Sequence, residues 1–151
     1  LKNLKMLTLL SVYMSKKFIG IDYGLSKVGL SISDPLKIIS IPLKVIKYKN
    51  RNELLKTLQE IAIENDVDSF VVGYPLNMNN KKNKMTELVD DFFKELKNLN
   101  FNVFLQDERL SSESAKKIMH EQNIKTGENK EQIDLIASTI ILQSFLDKGV
   151  V

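Results

Sequence analysis

The sequence predicts an α/β domain, one mixed five-stranded sheet covered by helices, with the elements in the order βββαβαβαα. Three observations predict it. Residues Phe18 to Asp34 read as a two-stranded hairpin turning at Gly24, with Val28, Leu30 and Ile32 at the period of two expected of a strand. Ser69 to Gly73 is a short apolar run bounded by turn signals, as in a strand buried on both faces. The later strands each follow a stretch of helical spacing, so they join the sheet in parallel by right-handed crossovers. A chain of 151 residues is one domain by length and can bury a real core without staples.

The composition, 43% hydrophobic and 27% charged, is that of a soluble globular protein. Cysteine is absent, which excludes a disulfide framework, a thiolate metal site and a thiol nucleophile, and fits a reducing, cytoplasmic setting. The net charge of +3 and pI of about 9.0 are compatible with a polyanionic partner but too small to imply one. Residues 1–14 carry Lys2 and Lys5 and then an apolar run to Met14. The run is shorter than the ~20 apolar residues that span a bilayer and has no small-residue cleavage site. It is expected to be a non-essential extension, with Met14 a plausible natural start, ahead of a domain over 15–151. An interfacial or partner-binding helix is the alternative.

Each element has its own signal. Pro35 ends the second strand, and a third runs within Ile38–Lys47, broken or edged at Pro42. Asn50 or Asn52 caps a helix whose Leu54, Leu55, Leu58, Ile61 and Ala62 recur at helical spacing. After the strand at Ser69–Gly73, the Asn- and Lys-rich segment from Asn77 to Lys84 reads as an exposed loop. A second helix is expected from about Met85 to Leu99, with Leu88, Val89, Phe92, Leu96 and Leu99 inward, then a strand from Asn102 to Gln106. Ser111 is a good N-cap for a helix from Ser112 to about Gln122. Beyond Gly127 a last helix, Glu128 to about Asp147, turns Ile133, Ile136, Ala137, Ile140, Ile141 and Phe145 to the core.

Three acidic residues stand in otherwise apolar surroundings: Asp22 after the first strand, Glu108 after the last, and Asp134 in the final helix. A carboxylate at the end of a core strand is costly to bury unpaired. Asp22 and Glu108 emerge at the same sheet end if their strands run parallel and close together, and ligands of open α/β sheets bind at that end. Asp134 closes the group only if its helix crosses there. Such a set of hard oxygen ligands suits Mg²⁺ or Mn²⁺, and two such ions about 4 Å apart promote phosphodiester hydrolysis. The plainer reading has Asp22 in a turn, Glu108 paired with Arg109 or a lysine, and Asp134 solvated.

These residues carry a resemblance. Gly20-Ile21-Asp22-Tyr23-Gly24 with Gly29 and Ser33-Asp34-Pro35, Val71 to Met78, Asp107-Glu108-Arg109-Leu110-Ser111-Ser112, and Asp134 with Ala137 and Ile141 to Ser144 resemble, in order, the motifs of the YqgF/RuvX family. That family is described as Holliday-junction resolvases and as nucleases that mature the 5′ end of pre-16S ribosomal RNA. The resemblance spans nearly everything from Lys17 to Asp147. It implies an RNase H-like fold with strand order 3-2-1-4-5, and a site for two Mg²⁺ or Mn²⁺ ions at Asp22, Glu108 and Asp134. The family's turn, Gly-Thr-Lys-Arg-Ile-Gly, is here Gly24-Leu25-Ser26-Lys27-Val28-Gly29. Lys27 keeps a positive charge but lacks the bidentate fork of arginine.

Other positions carry two readings each. Tyr74 and Asn77 follow a buried strand toward the same cleft; Asn77 holds a phosphate or a metal-bound water, or fixes a turn with Pro75. Lys81, Lys82 and Lys84 either attract a nucleic-acid backbone or form a solvated lysine loop. Arg109 binds phosphate or orients Glu108. His120, the single histidine, is expected at the surface or as a cap. The preferred function is a metal-dependent nuclease on structured precursor rRNA, with resolution of branched DNA as its rival and a non-catalytic, nucleic-acid-binding ribosome assembly factor as the alternative class. A monomer or weak homodimer with no membrane partner is expected.

Overall fold

A computed structural model describes residues 3–7, 16–77, 79, 81–108, 117–118, 120–121 and 130–149. Five strands form one sheet in the order β3-β2-β1-β4-β5: β1 Lys17–Tyr23, β2 Lys27–Ser33, β3 Ser40–Lys47, β4 Val67–Tyr74 and β5 Asn102–Asp107. β1, β2 and β3 pair antiparallel in succession, and β4 and β5 add in parallel to β1. Helices α1, Arg51–Glu64, and α2, Lys84–Asn98, are the crossovers before β4 and β5, and α3 is Lys130–Asp147. The expected architecture and strand order are both present. The expected helix over 112–122 falls mostly outside the described residues; 117–118 and 120–121 are helical, and His120 is exposed. Residues 3–7 form an exposed helical turn, and the rest of 1–15 lies outside the described residues.

Capping sets the helix boundaries. Asn50 caps α1 by accepting a bond from the Glu53 N–H at 2.9 Å. Asn83 caps α2 in a capping box with Thr86, so this helix begins at Lys84 rather than Met85. β3 begins at Ser40 rather than Ile38, because the Asp34 carboxylate accepts bonds from the N–H groups of Leu36, Ile38 and Ile39 and holds that stretch as a loop. Pro42 is tolerated because β3 is an edge strand and bulges there: Leu30 pairs with Lys44 and Ser31 with Pro42.

The two faces of the sheet differ in kind. Ile19, Ile21, Tyr23, Val28, Leu30, Phe70 and Val72 bury large side chains against α1 and α2, with Tyr23 packed edge-on to Phe92. The opposite face receives α3. Near β1 and β2 that face is built of small residues, Gly20, Gly29, Ser31 and Ser33. A Cβ on Gly20 would stand 2.5 Å from Ser31 Oγ and 2.7 Å from Leu142 Cβ, so no side chain fits between β1 and the helix. Ser138 of α3 donates its hydroxyl to the Gly20 carbonyl at 2.9 Å, and the Ser31 hydroxyl donates to the Ser138 carbonyl at 2.9 Å. Toward its C-terminus α3 packs Ile141, Leu142, Phe145 and Leu146 on Phe18, Val71 and Phe104. Gln143 bonds the Ser40 N–H and the Ile38 carbonyl, tying the helix to the start of β3.

The close seat of α3 makes Gly20→Ala a sharp test. The added methyl must push the helix or Ser31 aside, and overpacking of this kind costs about 1–3 kcal/mol. Urea unfolding of the variant should show that loss; an unchanged midpoint would mean that the helix has room the packing does not show.

Candidate functional site

Asp22 is the last residue on the α3 side of β1 before the chain turns. Side chains alternate along a strand, so with Ile19, Ile21 and Tyr23 in the main core, Gly20 and Asp22 face α3. The turn that follows is braced from the other side. Tyr48 donates its hydroxyl to the Gly24 carbonyl and its N–H to the Ser26 carbonyl. Arg51 at the start of α1 bonds both the Tyr23 hydroxyl, at 3.2 Å, and Glu95 of α2, at 3.3 Å.

Glycines flank Asp22 in both neighbouring strands. Gly29 of β2 is its register partner, and Gly73 of β4 follows Val72, the partner of Ile21. A Cβ on Gly73 would stand 2.5 Å from Glu108 Oε2 and 2.7 Å from Ile141 Cδ1. That space is where Glu108 folds inward. β5 and β1 are not neighbours, since β4 runs between them. The longer side chain of Glu108 reaches into the space over Gly73, near Asp22. On the other flank, a Cβ on Gly29 would run into the Asp134 carbonyl, so the missing side chain lets α3 bring Asp134 down beside Asp22. The three predicted carboxylates are thus gathered at the carboxyl end of the parallel strands.

This gathering is electrostatically costly. Burial first, then repulsion from Glu108 and Asp134, push the Asp22 carboxyl up to about 8, while Lys27 pulls the other way. Burial and the nearby Asp107 push Glu108 up to about 7, against the Asp22 hydrogen bond, which lowers it. Burial and the neighbouring negative charge thus favour the protonated form of both carboxyls. Asp134 is answered differently. Lys27 Nζ lies 3.2 Å from its Oδ2, yet is not aligned to donate, and this buried oxygen has no hydrogen-bond partner. Asp22, Lys27 and Asp134, with Tyr23 to Ser26, line an open cleft of about 310 Å³.

The donor set fits a divalent ion. It is all carboxylate oxygen, and it includes a buried oxygen, Asp134 Oδ2, without a hydrogen-bond partner. Among the described residues no three acidic or histidine side chains are grouped so as to hold an ion as they stand. Mg²⁺ does not require such a group, because it is commonly held by one or two carboxylates with water and substrate oxygens completing the shell.

The other predicted residues sit at varied distances from this chemistry. Tyr74 ends β4 and donates its hydroxyl to Asp90 at 3.2 Å, with Lys82 3.8 Å from the same carboxylate. Asn77 accepts a bond from Asn83 Nδ2 at 2.9 Å, which ties the loop to the residue that caps α2. Lys81 and Lys82 are exposed. Arg109 lies outside the described residues. The sequence reading missed the parts played by Gly29, Gly73 and the Ser31–Ser138 contact. Their signal was the alternation of small with large residues along β1, β2 and β4.

The chain matches known proteins over most of its length. The family model described as "RuvX: Holliday junction resolvase" matches residues 16–148. The chain belongs to the RuvX family. That membership makes it a nuclease, a hydrolase of phosphodiester bonds. A relative from Ruminiclostridium cellulolyticum, named "Putative pre-16S rRNA nuclease", is 39% identical over 134 residues, covering 87% of this chain and 94% of the relative. One of the same name from Mycoplasmopsis synoviae is 38% identical over 131 residues, covering 85% and 96%. Among solved structures, a Fowlpox virus resolvase bound to Holliday junction DNA superposes with a TM-score of 0.57 at 9% identity, covering 89% of this chain and 99% of that one. Thermus thermophilus RuvC with a Holliday junction gives 0.52 at 11% identity, covering 89% and 96%. These two show a shared fold, that of RuvC-like, RNase H-like nucleases. Among the described residues no helix is long and apolar enough to cross a membrane.

Two outcomes follow for this RuvX-family site. Asp22 and Glu108 titrate above their ordinary values of 3.8 and 4.5, so the folded protein holds protons that the unfolded chain releases. Their contribution to stability is therefore full below about pH 4 and is lost as the pH rises through about 7 to 8. In EDTA, the Tm advantage of Asp22→Asn over wild type should grow across that window; a constant difference would mean that the pair is not strained. In Gly73→Ala the methyl displaces the Glu108 carboxylate, and the Asp22 carboxyl, read by ¹³C NMR, should titrate lower than in wild type. An unmoved titration would show that the two carboxyls do not meet over Gly73.

Proposed function

We propose that this RuvX-family protein is a divalent-metal-dependent nuclease that acts in 5′-end maturation of pre-16S rRNA in the cytoplasm. The observation that carries the reading is the meeting of Asp22 and Glu108 over Gly73, with Asp134 alongside, at the edge of an open cleft. The substrate follows the name that the Ruminiclostridium and Mycoplasmopsis relatives carry.

Asp22, between the other two carboxylates, would hold the metal together with Glu108 and Asp134. Mg²⁺ or Mn²⁺ bound there, as one ion or two, would supply the positive charge that phosphodiester hydrolysis needs at the water and at the leaving oxygen. The chain's own residues bind and orient. Burial of Asp22 and Glu108 keeps bulk water from competing for their oxygens. The bracing of the Gly24 turn by Tyr48 and Arg51 holds the Asp22 backbone still. Lys27 offers a cation to a phosphate entering the cleft, and Lys81 and Lys82, exposed on the loop before α2, add attraction for a polyanion. Hydrolysis in line leaves a 3′-hydroxyl and a 5′-phosphate. A branched DNA junction is the second reading, favoured by the description of the family model.

The test is cleavage of a precursor 16S 5′ fragment and of a four-way DNA junction in Mg²⁺ or Mn²⁺, by wild type and by Asp22→Asn. Wild type should cut the RNA, EDTA should stop it, and Asp22→Asn should bind without cutting. Preferential cutting of the junction would transfer the assignment to branched DNA. Equal cutting by both proteins would sink the site assignment, and binding without turnover in wild type would mark an assembly factor.

A further inference from the structure

The turn between β1 and β2 presents an apolar side chain to the cleft. Among the described residues that line it, Leu25 is the one aliphatic side chain, and it is 69% exposed. Turns favour Gly, Pro, Asn, Asp and Ser, so a leucine at this tip gains nothing from the turn itself. Its backbone is nonetheless fixed on both sides. The Gly24 carbonyl before it accepts the Tyr48 hydroxyl, and the Ser26 carbonyl after it accepts the Tyr48 N–H at 3.0 Å. A Cβ on Gly24 would stand 2.6 Å from the Lys27 carbonyl, which shows how tightly the turn closes. Folding thus holds Leu25 in place and leaves its side chain unburied at the mouth of the cleft. Lys27 lines the same cleft two residues on, with its Cα at most about 7 Å from that of Leu25. An apolar contact and a cation therefore stand about one nucleotide apart.

We infer that Leu25 is a specificity-determining residue that packs on the face of an unstacked base beside the phosphate attracted by Lys27, so that the cleft takes a strand unpaired at that nucleotide rather than a continuous duplex. The inference rests on the nuclease reading above and extends it to the form of the substrate. In a continuous duplex each base face is covered by its neighbours, and a protein meets only base edges, sugars and phosphates. Leucine has no polar side-chain atom with which to read an edge or hold a phosphate. The nucleic-acid surface that suits it is a base face, splayed out of the stack or opened by an apolar wedge. Because the turn is already braced, the backbone of Leu25 pays little further ordering cost on contact. The two neighbours then contribute by different physics. Burial of Leu25 is insensitive to salt, whereas the attraction of Lys27 for a phosphate is screened by it.

The test measures binding of the full-length chain to an RNA single strand and to the blunt duplex of the same sequence, in Mg²⁺ and in the Asp22→Asn background so that binding is read apart from cutting. Adding Leu25→Ala should weaken the single strand about tenfold and the duplex less than about twofold. Leu25→Met, which keeps an apolar side chain of similar reach, should restore the single-strand affinity. Leu25→Ala should leave the slope of log K against log salt unchanged, whereas Lys27→Met should reduce it by about 0.7 on the single strand. With an abasic site scanned along the strand, one position should abolish the effect of Leu25→Ala. The Tm of Leu25→Ala should equal that of its parent, since the side chain is exposed. Equal losses on both ligands, a changed salt slope, a lowered Tm or no loss at all would overturn the inference and leave the nuclease standing. Binding of neither ligand by the Asp22→Asn parent would overturn the proposed function as well.

Discussion

Helix α3 can lie against β1 and β2 only because the sheet offers it almost no side chains there. Gly20, Gly29, Ser31 and Ser33 make a shallow seat, and Ser138 exploits it by bonding the Gly20 carbonyl directly. The rest of the site depends on that closeness. With a larger residue at Gly29, the backbone at Asp134 would be lifted away from Asp22, its register neighbour. Burying the Ser138 hydroxyl and the Gly20 carbonyl is tolerable because each satisfies the other, where an unpaired polar group would cost roughly 1–3 kcal/mol.

The helix has two ends with different tasks. At its C-terminal end Phe145 joins Phe18 and Phe104, with ring centroids 5.8 and 5.1 Å away, and Ile141, Leu142 and Leu146 fill the space around them. This apolar burial anchors the element. At the other end, Asp134 is held near two further carboxylates, an arrangement that stability alone would not select. The anchored end opposes the repulsion at the strained end. Lys27, on the turn, lowers part of that repulsion.

Much of the architecture was legible because it rests on local chemistry. Asn50 as a helix cap, the helical spacing of Leu54, Leu58 and Ile61, the apolar run at Ser69–Gly73 and the break at Pro42 all mark their elements without reference to the remainder of the chain. Inside the expected ranges, the exact boundaries were set by side chains reaching back: Asp34 holds Ile38 and Ile39 out of β3, and Thr86 closes a capping box that starts α2 at Lys84. Asn77 illustrates the limit for function. Its amide oxygen accepts a bond from Asn83, a pairing across the loop that no spacing rule announces.

By itself the sequence determined the element order, the mixed sheet and the identity of the three acidic residues, because strand and helix periodicity and the cost of a charge in apolar surroundings are properties of short segments. Family motifs carried those residues to a nuclease fold. Only the tertiary structure decided how they meet. β1 and β5 are separated by β4, and the Glu108 carboxylate reaches toward Asp22 because Gly73 leaves the intervening position empty. Asp134 comes from a helix on one face of the sheet, brought in by the absence of a side chain at Gly29. Contacts of that kind arise from what is missing between distant segments. Sequence pattern records which side chains are present, and it is the packing that shows what their absence elsewhere allows.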